Sequence, residues 1–150
     1  MKPDDPDAPK LADFLCFTIY STNLAFGKAY KPLLDGLGVT YTQWIAIVAL
    51  WEAGELTVSG LGEALFLESN TLTPILKRLE VQGYLVRRRD PSDERQVRVS
   101  LTEEGKRLRE RGLQRNLVSA TGLESGEFLE VQETVARVRD NLVRHVREDV

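Results

Sequence analysis

Cys16 is the one cysteine of this chain and its best candidate for redox chemistry. It lies among apolar residues, with Phe14 and Leu15 before it and Phe17 after it. A free cysteine in such surroundings is most often a small buried hydrophobe. A reactive thiol needs neighbours that stabilise the thiolate. The apolar surroundings by themselves favour a buried packing role for Cys16. A reactive thiol is indicated only if polar groups lie near the sulfur.

Two tyrosines share the helical direction of Cys16 and bear on that decision. Tyr20 follows it by four residues and lies on the same stripe of a helix. Tyr30 follows in nearly the same direction but lies about 21 Å further along the axis, beyond reach within one chain. If two such helices pack antiparallel in a dimer, the partner's Tyr30 does reach the sulfur. Hydroxyls that donate to sulfur favour the thiolate.

A second group of side chains is suited to nucleic acid. Residues 69–78 read Ser-Asn-Thr-Leu-Thr-Pro-Ile-Leu-Lys-Arg, and short hydroxyl and amide side chains hydrogen-bond base edges and phosphates. Residues 77–98 carry seven basic and four acidic side chains, a local charge of +3 in a chain of net charge −3. A basic patch on an acidic body is an electrostatic footprint for phosphate.

Hydrophobic periodicity predicts the helices that would position these residues. A long helix is expected over residues 10–34, ended by Gly36 and Gly38. Short helices are expected at residues 44–51, 57–66 and 69–82. The first of these follows a capping-box spacing from Thr40 to Gln43. For the third, Ser69 is the expected N-cap and Gly83 the expected end.

The period then changes to that of a hairpin. Residues 85–89 and 97–101 predict two strands, and Asp-Pro-Ser-Asp at residues 90–93 predicts the turn between them. A charged helix from Thr102 to about Ala120 and a last helix from about Ser125 follow. Residues 1–9, rich in proline and aspartate, are expected to form a disordered arm.

The predicted fold is mainly α with a small β-hairpin wing: a winged helix-turn-helix flanked by long N- and C-terminal helices. Residues 40–102 would form the DNA-binding lobe, within a single domain over residues 10–150. The apolar stripes of residues 10–34 and 103–150 exceed what a winged lobe of about 60–70 residues needs. The surplus predicts that these flanking helices bury each other in a homodimer.

In such a fold the second helix of the helix-turn-helix enters the major groove with its first residues. An arginine on the wing can read the minor groove, and Asp93 is expected to brace Arg95 there through a bidentate pair. The candidate DNA-binding residues are Ser69, Asn70, Thr71, Thr73, Pro74, Lys77, Arg78, Arg87, Asp93 and Arg95.

Several other classes of function are excluded. One cysteine and one histidine cannot build a disulfide framework or a Cys/His zinc site within one chain. Gly60 and Gly62 begin a dinucleotide fingerprint, but Leu65 occupies the third glycine position. No serine or cysteine has a plausible histidine partner, so neither an enzyme nor a cofactor is expected.

The sequence also bears on localisation. The longest uncharged stretch, residues 36–51, is too short and too polar to span a bilayer. The N-terminus lacks a secretory h-region, which predicts the cytoplasm.

Two motifs resemble a known family. Residues 90–95 (Asp-Pro-Ser-Asp-Glu-Arg) and residues 97–105 (Val-Arg-Val-Ser-Leu-Thr-Glu-Glu-Gly) resemble the wing of the MarR family of bacterial repressors, which are winged-helix homodimers on palindromic DNA. Other segments resemble the organic-hydroperoxide-sensing branch of that family, the OhrR repressors. These segments are residues 15–17, Tyr20, and residues 28–34, 37–38, 40–41, 50–52 and 71–80.

This resemblance implies a nucleoid-associated sensor in which an organic hydroperoxide oxidises Cys16 to a sulfenic acid and the repressor leaves a pseudo-palindromic operator. Tyr30 and Tyr41 match the tyrosines that hydrogen-bond the sulfur from the partner subunit, and Tyr20 is similar to a third pocket tyrosine. Because no second cysteine is present, the chain resembles the one-Cys type. A low-molecular-weight thiol or a backbone nitrogen would then resolve the sulfenate.

The sequence departs from the branch at two positions. Thr42 stands where the branch usually has proline, at the edge of the implied pocket, and Asn70 stands where glycine is usual, at the DNA-reading end of the helix. Two alternative functions stay open. One is a repressor of the same fold that responds to a small phenolic or lipophilic ligand, with Cys16 inert. The other is a thiol peroxidase, for which the chain has no resolving cysteine.

Overall fold

The computed structural model describes residues 7–114 and 117–148. The chain divides into two compact units, residues 1–115 and residues 116–150. Most of the arm expected over residues 1–9 lies outside the described residues. The mainly α class with a small sheet is confirmed, and the winged helix-turn-helix lies in the first unit.

The first long helix, α1 (Leu15–Leu37), is shorter at its start than the sequence predicts. A 3₁₀ turn, Leu11–Asp13, precedes it, and Phe14 between the two is extended. The carboxylate of Asp13 accepts a hydrogen bond from the backbone N–H of Lys10 at 2.8 Å, which closes the 3₁₀ turn on itself. Helix α1 runs through Gly36 to Leu37, three residues beyond the predicted end, and stops at Gly38, which adopts a left-handed φ of 71°.

Three short helices follow: α2 (Tyr41–Ala53), α3 (Val58–Leu65) and α4 (Ser69–Val81). The capping box before α2 is confirmed, because Thr40 Oγ1 accepts from Gln43 N–H while Gln43 Oε1 accepts from Thr40 N–H. The prediction that Ser69 caps α4 is wrong by one residue. Extended Glu68 is the N-cap, and its carbonyl accepts from the N–H groups of Thr71 and Leu72.

The sheet has one more strand than predicted. Strands β2 (Leu85–Arg89) and β3 (Val97–Leu101) pair antiparallel with the expected bounds, and β1 (Glu55–Thr57) pairs with the other edge of β3. The order is therefore β1-β3-β2. Three residues are too few for an alternating pattern, so nothing local predicts β1.

The helix that follows the sheet, α5 (Glu103–Leu113), begins at the N-cap Thr102 as expected but ends earlier than the predicted Ala120. Residues 115–116 lie outside the described residues. The charged sequence is rich in helix formers and lacks a local stop signal, which explains the overestimate. The second unit contains a 3₁₀ turn, Ser119–Thr121, and α6 (Ser125–Glu148), which begins where predicted.

The core of the first unit joins helices α1 to α5 to the sheet, and α1 contributes Leu34, which is 6% exposed. Each of α2, α3, α4, α5, β2 and β3 contributes at least one side chain that is fully or almost fully buried. These residues are Ile47, Leu50, Leu61, Leu72, Leu76, Leu79, Leu85, Val99 and Leu108. The apolar face of α4 is thereby fixed, and its opposite face is left to solvent.

Within the described ranges, no single helix is long and apolar enough to cross a membrane. Helices α1 and α2 meet the length and composition criteria only when taken together, and they are bent by 73° at their junction.

Candidate functional site

The exposed face of α4 carries the polar residues that the sequence assigns to DNA. Ser69, Asn70 and Thr71 form its first turn and are all exposed, whereas Leu72 is fully buried. Thr73 is half-buried, and its hydroxyl donates to the carbonyl of Ser69 at 2.8 Å. Burial of the leucines thus turns the hydrogen-bonding side chains of the first turn outward, as a groove-reading helix requires.

Pro74, Lys77 and Arg78 extend this exposed surface along α4. Pro74 lies in the second turn rather than the first, and its ring nitrogen gives no hydrogen bond to the carbonyl of Asn70. The cations of Lys77 and Arg78 follow one turn later, in the spacing that can contact a phosphate backbone.

The wing places Arg95 at the exposed end of the β2–β3 hairpin. Asp93 is beside it, but its Oδ1 accepts from the backbone N–H of Arg95 at 3.1 Å. The expected bidentate pair between Asp93 and the guanidinium is thus replaced by a local turn. A carboxylate two residues before an N–H group closes such a turn more easily than it reaches the end of the side chain.

Carboxylates on neighbouring elements hold three of the wing arginines. Glu80 of α4 pairs with Arg87 at 3.0 Å. Glu55 of β1 pairs with Arg88 at 2.7 Å and with Arg98 at 3.2 Å. The sequence analysis did not assign a role to these two glutamates, because the partners lie on different elements.

Asp90 extends this network to the start of the wing loop. It is only 5% exposed, and it accepts from Arg98 Nε at 2.6 Å and from the hydroxyl and N–H of Ser92 at 2.6 and 2.8 Å. The bonds from Ser92, followed by the Arg98 guanidinium, hold the pKa of the Asp90 carboxyl well below its usual range. A serine two residues after a loop aspartate was the sequence signal for this turn.

The thiol region has two parts in one chain. Cys16, in the first turn of α1, is exposed, and Tyr20 one turn later is 60% exposed. Tyr30 lies fourteen residues beyond Cys16 on the same helix, so the estimate of about 21 Å along the axis applies. The structure therefore leaves Cys16 without Tyr30 within a single chain.

Tyr30 and Tyr41 are brought together by the junction of α1 with α2. Their ring centroids are 5.4 Å apart, with the planes tilted by 49°. Burial, and secondarily the adjacent Tyr41, raise the pKa of the Tyr30 phenol. Tyr30 therefore stays a neutral hydroxyl that can donate a hydrogen bond at physiological pH.

Among residues 7–114 and 117–148, no group of three His, Cys, Asp or Glu side chains is placed to hold a metal ion. An open cleft of about 400 Å³ lies beside the end of α1. Leu34, Val39, Gln43 and Arg78 contribute to its lining, together with Asp35, Gly38 and Thr40.

Comparison with known proteins agrees with this geometry. Residues 28–111 match the family described as transcriptional regulator SarA/Rot. The organic hydroperoxide resistance transcriptional regulator of Bacillus subtilis (strain 168) is 50% identical over 107 residues, which is 71% of this chain and 73% of that protein.

Two solved structures show the same architecture. Reduced AbfR bound to DNA, a protein known from Staphylococcus epidermidis, has a TM-score of 0.73 and 36% identity, covering 89% of this chain and 96% of that one. The PcaV transcriptional regulator from Streptomyces coelicolor, in complex with its natural ligand, has a TM-score of 0.79 and 26% identity, covering 89% and 96%.

A winged helix with an exposed polar helix start and a basic wing is the architecture of a DNA-binding transcriptional regulator. This chain belongs to the MarR family of winged-helix transcriptional regulators. Its resemblance to the organic-hydroperoxide-sensing branch is confirmed by the relative from Bacillus subtilis.

Proposed function

We propose that this protein is a dimeric repressor that binds its operator in the reduced state and releases it when an organic hydroperoxide oxidises Cys16. The observation that carries the proposal is the exposure of Cys16 on an apolar stretch of α1 that one chain leaves uncovered. A relative named as an organic hydroperoxide resistance transcriptional regulator, 50% identical over 107 residues, supports a role in the response to organic hydroperoxides.

The chemical step transfers one oxygen atom. The Cys16 sulfur, as thiolate, attacks the terminal, hydroxyl-bearing oxygen of the hydroperoxide, so that an S–O bond forms and the O–O bond breaks. The sulfur is oxidised by two electrons to a sulfenic acid, and the leaving alkoxide takes up the proton that the thiol released and becomes the alcohol. A low-molecular-weight thiol can then condense with the sulfenic acid and release water, since the chain has no second cysteine.

The dimer supplies what one chain lacks at this site. Leu11, Phe14, Leu15 and Leu24 are exposed along the first helical segment of the chain, and a second copy would bury them. If the two α1 helices pack antiparallel, Tyr30 and Tyr41 of the partner subunit approach Cys16. Their hydroxyls would then donate hydrogen bonds to the sulfur.

The same dimer would present two α4 helices to successive major grooves. Half-sites of a pseudo-palindromic operator would be about 34–36 Å apart, one turn of B-DNA. On each half-site, Ser69, Asn70 and Thr71 would face base edges, while Lys77 and Arg78 would face phosphates. Arg95 of the wing would enter the adjacent minor groove.

Oxidation of Cys16 would act on the DNA-binding lobes of both subunits through the shared thiol pocket. A sulfenic acid adds a polar atom to a packed region, so the pocket must rearrange and shift the α1 helices. A coupling free energy of ~1–3 kcal/mol would lower operator affinity roughly 5–150-fold.

The test is a titration of a duplex from the gene's own upstream region, followed by fluorescence anisotropy at fixed salt. Binding is measured before and after one equivalent of an organic hydroperoxide, in the wild type and in Cys16→Ser. We expect both proteins to bind when reduced and only the wild type to release after treatment.

Each other outcome contradicts a defined part of the proposal. Release by Cys16→Ser would remove Cys16 from sensing. Retention by both proteins would leave DNA binding intact and remove the peroxide response. Catalytic consumption of the hydroperoxide with an added thiol reductant would instead favour a thiol peroxidase.

A second candidate function is response to a small phenolic or lipophilic ligand. It is favoured by the likeness to PcaV, whose structure contains its natural ligand. Release of DNA by such compounds from Cys16→Ser would support this candidate over the peroxide sensor.

A further inference from the structure

Arg87 donates three hydrogen bonds to one carboxylate, that of Glu80. Its Nε and Nη2 donate to Glu80 Oε2 and Oε1 at 3.2 and 3.0 Å, and its backbone N–H donates to Glu80 Oε2 at 3.2 Å. The Arg87 and Glu80 side chains are 26% and 38% exposed. The Arg87 hydrogen bonds lower the pKa of Glu80, which stays ionised at neutral pH. This planar, two-pronged geometry is available to arginine and not to lysine.

The contact joins the two elements that would read DNA. Glu80 lies in the last turn of α4, whose first turn carries Ser69 and Asn70. Arg87 is the middle residue of β2, the strand that leads into the wing loop and Arg95. Helix α4 and strand β2 also pack against each other, so the pair holds the wing strand against the recognition helix.

A second set of ion pairs restrains the other side of the wing. Glu55 receives hydrogen bonds from Arg88 and Arg98, and the Nε of Arg98 donates to buried Asp90. In the part of the chain that the structure describes, Arg89 and Arg95 form no ion pair with a carboxylate. Arg87, Arg88 and Arg98 thus contact carboxylates. The Nη1 of Arg89 instead donates to the backbone carbonyl of Glu94 at 3.4 Å, and Arg95 is exposed at the end of the wing.

We propose that Glu80 and Arg87 are positioning residues that hold the wing at a fixed angle to α4, and that Arg87 is not a phosphate ligand. The inference rests on the DNA binding proposed above, and it gives Arg87 a different role from the one expected from sequence. The helix and the wing must reach adjacent grooves together, so an angle set before binding saves the entropy of ordering the wing on DNA.

The proposal reverses the sign of a simple electrostatic expectation. Removal of a negative charge near DNA normally strengthens binding, because repulsion from phosphates falls. If Arg87 were a phosphate ligand for which Glu80 merely competes, Glu80→Gln would bind DNA more tightly. If the pair positions the wing, Glu80→Gln weakens binding although the protein becomes less acidic.

The experiment measures the Kd for the upstream duplex over a range of salt concentrations, using the full chain in its reduced state. We expect Glu80→Gln, Arg87→Gln and Arg87→Lys each to weaken binding roughly 3–30-fold, with less than additive effects when Glu80 and Arg87 are changed together. Arg87→Lys keeps the charge but loses the fork, so it separates positioning from charge. The salt dependence of Arg87→Lys and Glu80→Gln should match that of the wild type.

Arg89→Gln is the matched control, because it removes the same charge from the same strand at an exposed side chain that contacts no carboxylate and donates one long hydrogen bond, 3.4 Å, to the Glu94 carbonyl. Should Arg87 contact a phosphate, Arg87→Gln would lower the slope of log Kd against log salt by about 1. Such a decrease in slope would overturn the inference. Wild-type affinity in Arg87→Lys would also overturn it, and so would unchanged or tighter binding by Glu80→Gln.

A measurement without DNA separates this inference from the proposed function. Hydrogen exchange of the hairpin amides, including the Asp90 N–H that donates to the Gln96 carbonyl, should be faster in Glu80→Gln, with the amides of α2 unchanged. If the wild type binds no duplex but the hairpin amides exchange faster in Glu80→Gln, the DNA function is rejected and the positioning role of the Glu80–Arg87 contact is kept. Unchanged exchange of the hairpin amides would reject the positioning role. Equal acceleration of the α2 amides would reject it too, because the change would then destabilise the whole unit and not the wing alone.

Discussion

At the residue scale, hydrogen bonds from neighbouring groups keep the Asp90 carboxyl in its ionised form. It is buried, yet the Ser92 hydroxyl and N–H and the Arg98 guanidinium satisfy it. A buried carboxylate is costly unless paired and hydrogen-bonded in this way. The wing loop therefore has one preferred conformation when Asp90 is ionised.

This arrangement predicts a pH dependence of stability. The folded state holds the pKa of Asp90 below its ordinary value of 3.8, so folding favours the ionised form. The stabilisation is fully present above about pH 5 and is lost as the pH falls through 3.8 toward the lower folded value. We expect the unfolding free energies of the wild type and Asp90→Asn to differ most near neutral pH and to converge in acid.

Urea unfolding at a series of pH values checks this expectation. Asp93→Asn is the control, because the Asp93 side chain is exposed and accepts a single hydrogen bond from a backbone N–H. It should differ less from the wild type at neutral pH. A gap for Asp90→Asn that stays constant into acid would contradict the assigned ionisation.

At the element scale, the contact of α5 with α2 depends on a missing side chain. A Cβ on Gly112 of α5 would lie 2.2 Å from Cη2 of the buried Trp44 ring in α2. Gly105 lies about two turns earlier in α5. A Cβ on Gly105 would lie 2.1 Å from the backbone carbonyl oxygen of Tyr84. Two glycines thus let α5 approach both α2 and the sheet.

Gly112→Ala is therefore expected to destabilise the protein, although alanine favours a helix by up to about 1 kcal/mol over glycine. Overpacking against the rigid indole should cost ~1–3 kcal/mol of unfolding free energy, measured by urea denaturation. The matched control is Gly36→Ala in α1, where a Cβ would have no neighbour within 4 Å. Equal, stabilising effects of both changes would show that Trp44 moves aside freely.

At the scale of the whole molecule, both flanking helical segments expose apolar residues in one chain. On α6, Val131, Val135, Leu142 and Val146 are exposed and share one face at helical spacing, and Leu129 is exposed on the opposite side. Such stripes are larger than isolated surface hydrophobes and mark a surface for association. The proposed homodimer would cover them, and a second copy is the partner that needs no further component.

We expect sedimentation equilibrium to give twice the mass of one chain at micromolar concentration. The double change Leu142→Glu and Val146→Glu should shift the protein toward the monomer, because charges would enter an apolar interface. Val81→Glu is the control, since Val81 is 87% exposed at the end of α4, outside the proposed interface. A monomeric wild type would contradict the dimer and the shared thiol pocket.

The sequence by itself determined the helices, their caps at Thr40 and Thr102, and both strands of the wing hairpin. It also identified the family, from motifs that are continuous in the chain. These features depend on residues within one or two turns of one another, so periodicity and capping chemistry express them directly. The overlong α5 reflects helix propensity that continues past the real end, whereas α4 begins one residue earlier than predicted, because Glu68 and not Ser69 is its N-cap.

Only the tertiary structure decided which charges meet. The pairing of β1 with β3, the contact of Tyr30 with Tyr41, and the ion pairs of Arg87 and Arg98 join separate elements. An arginine in a basic stretch has the same sequence signature whether it faces a phosphate or a carboxylate. Its partner is set by the packing of helix against strand, which no local pattern encodes.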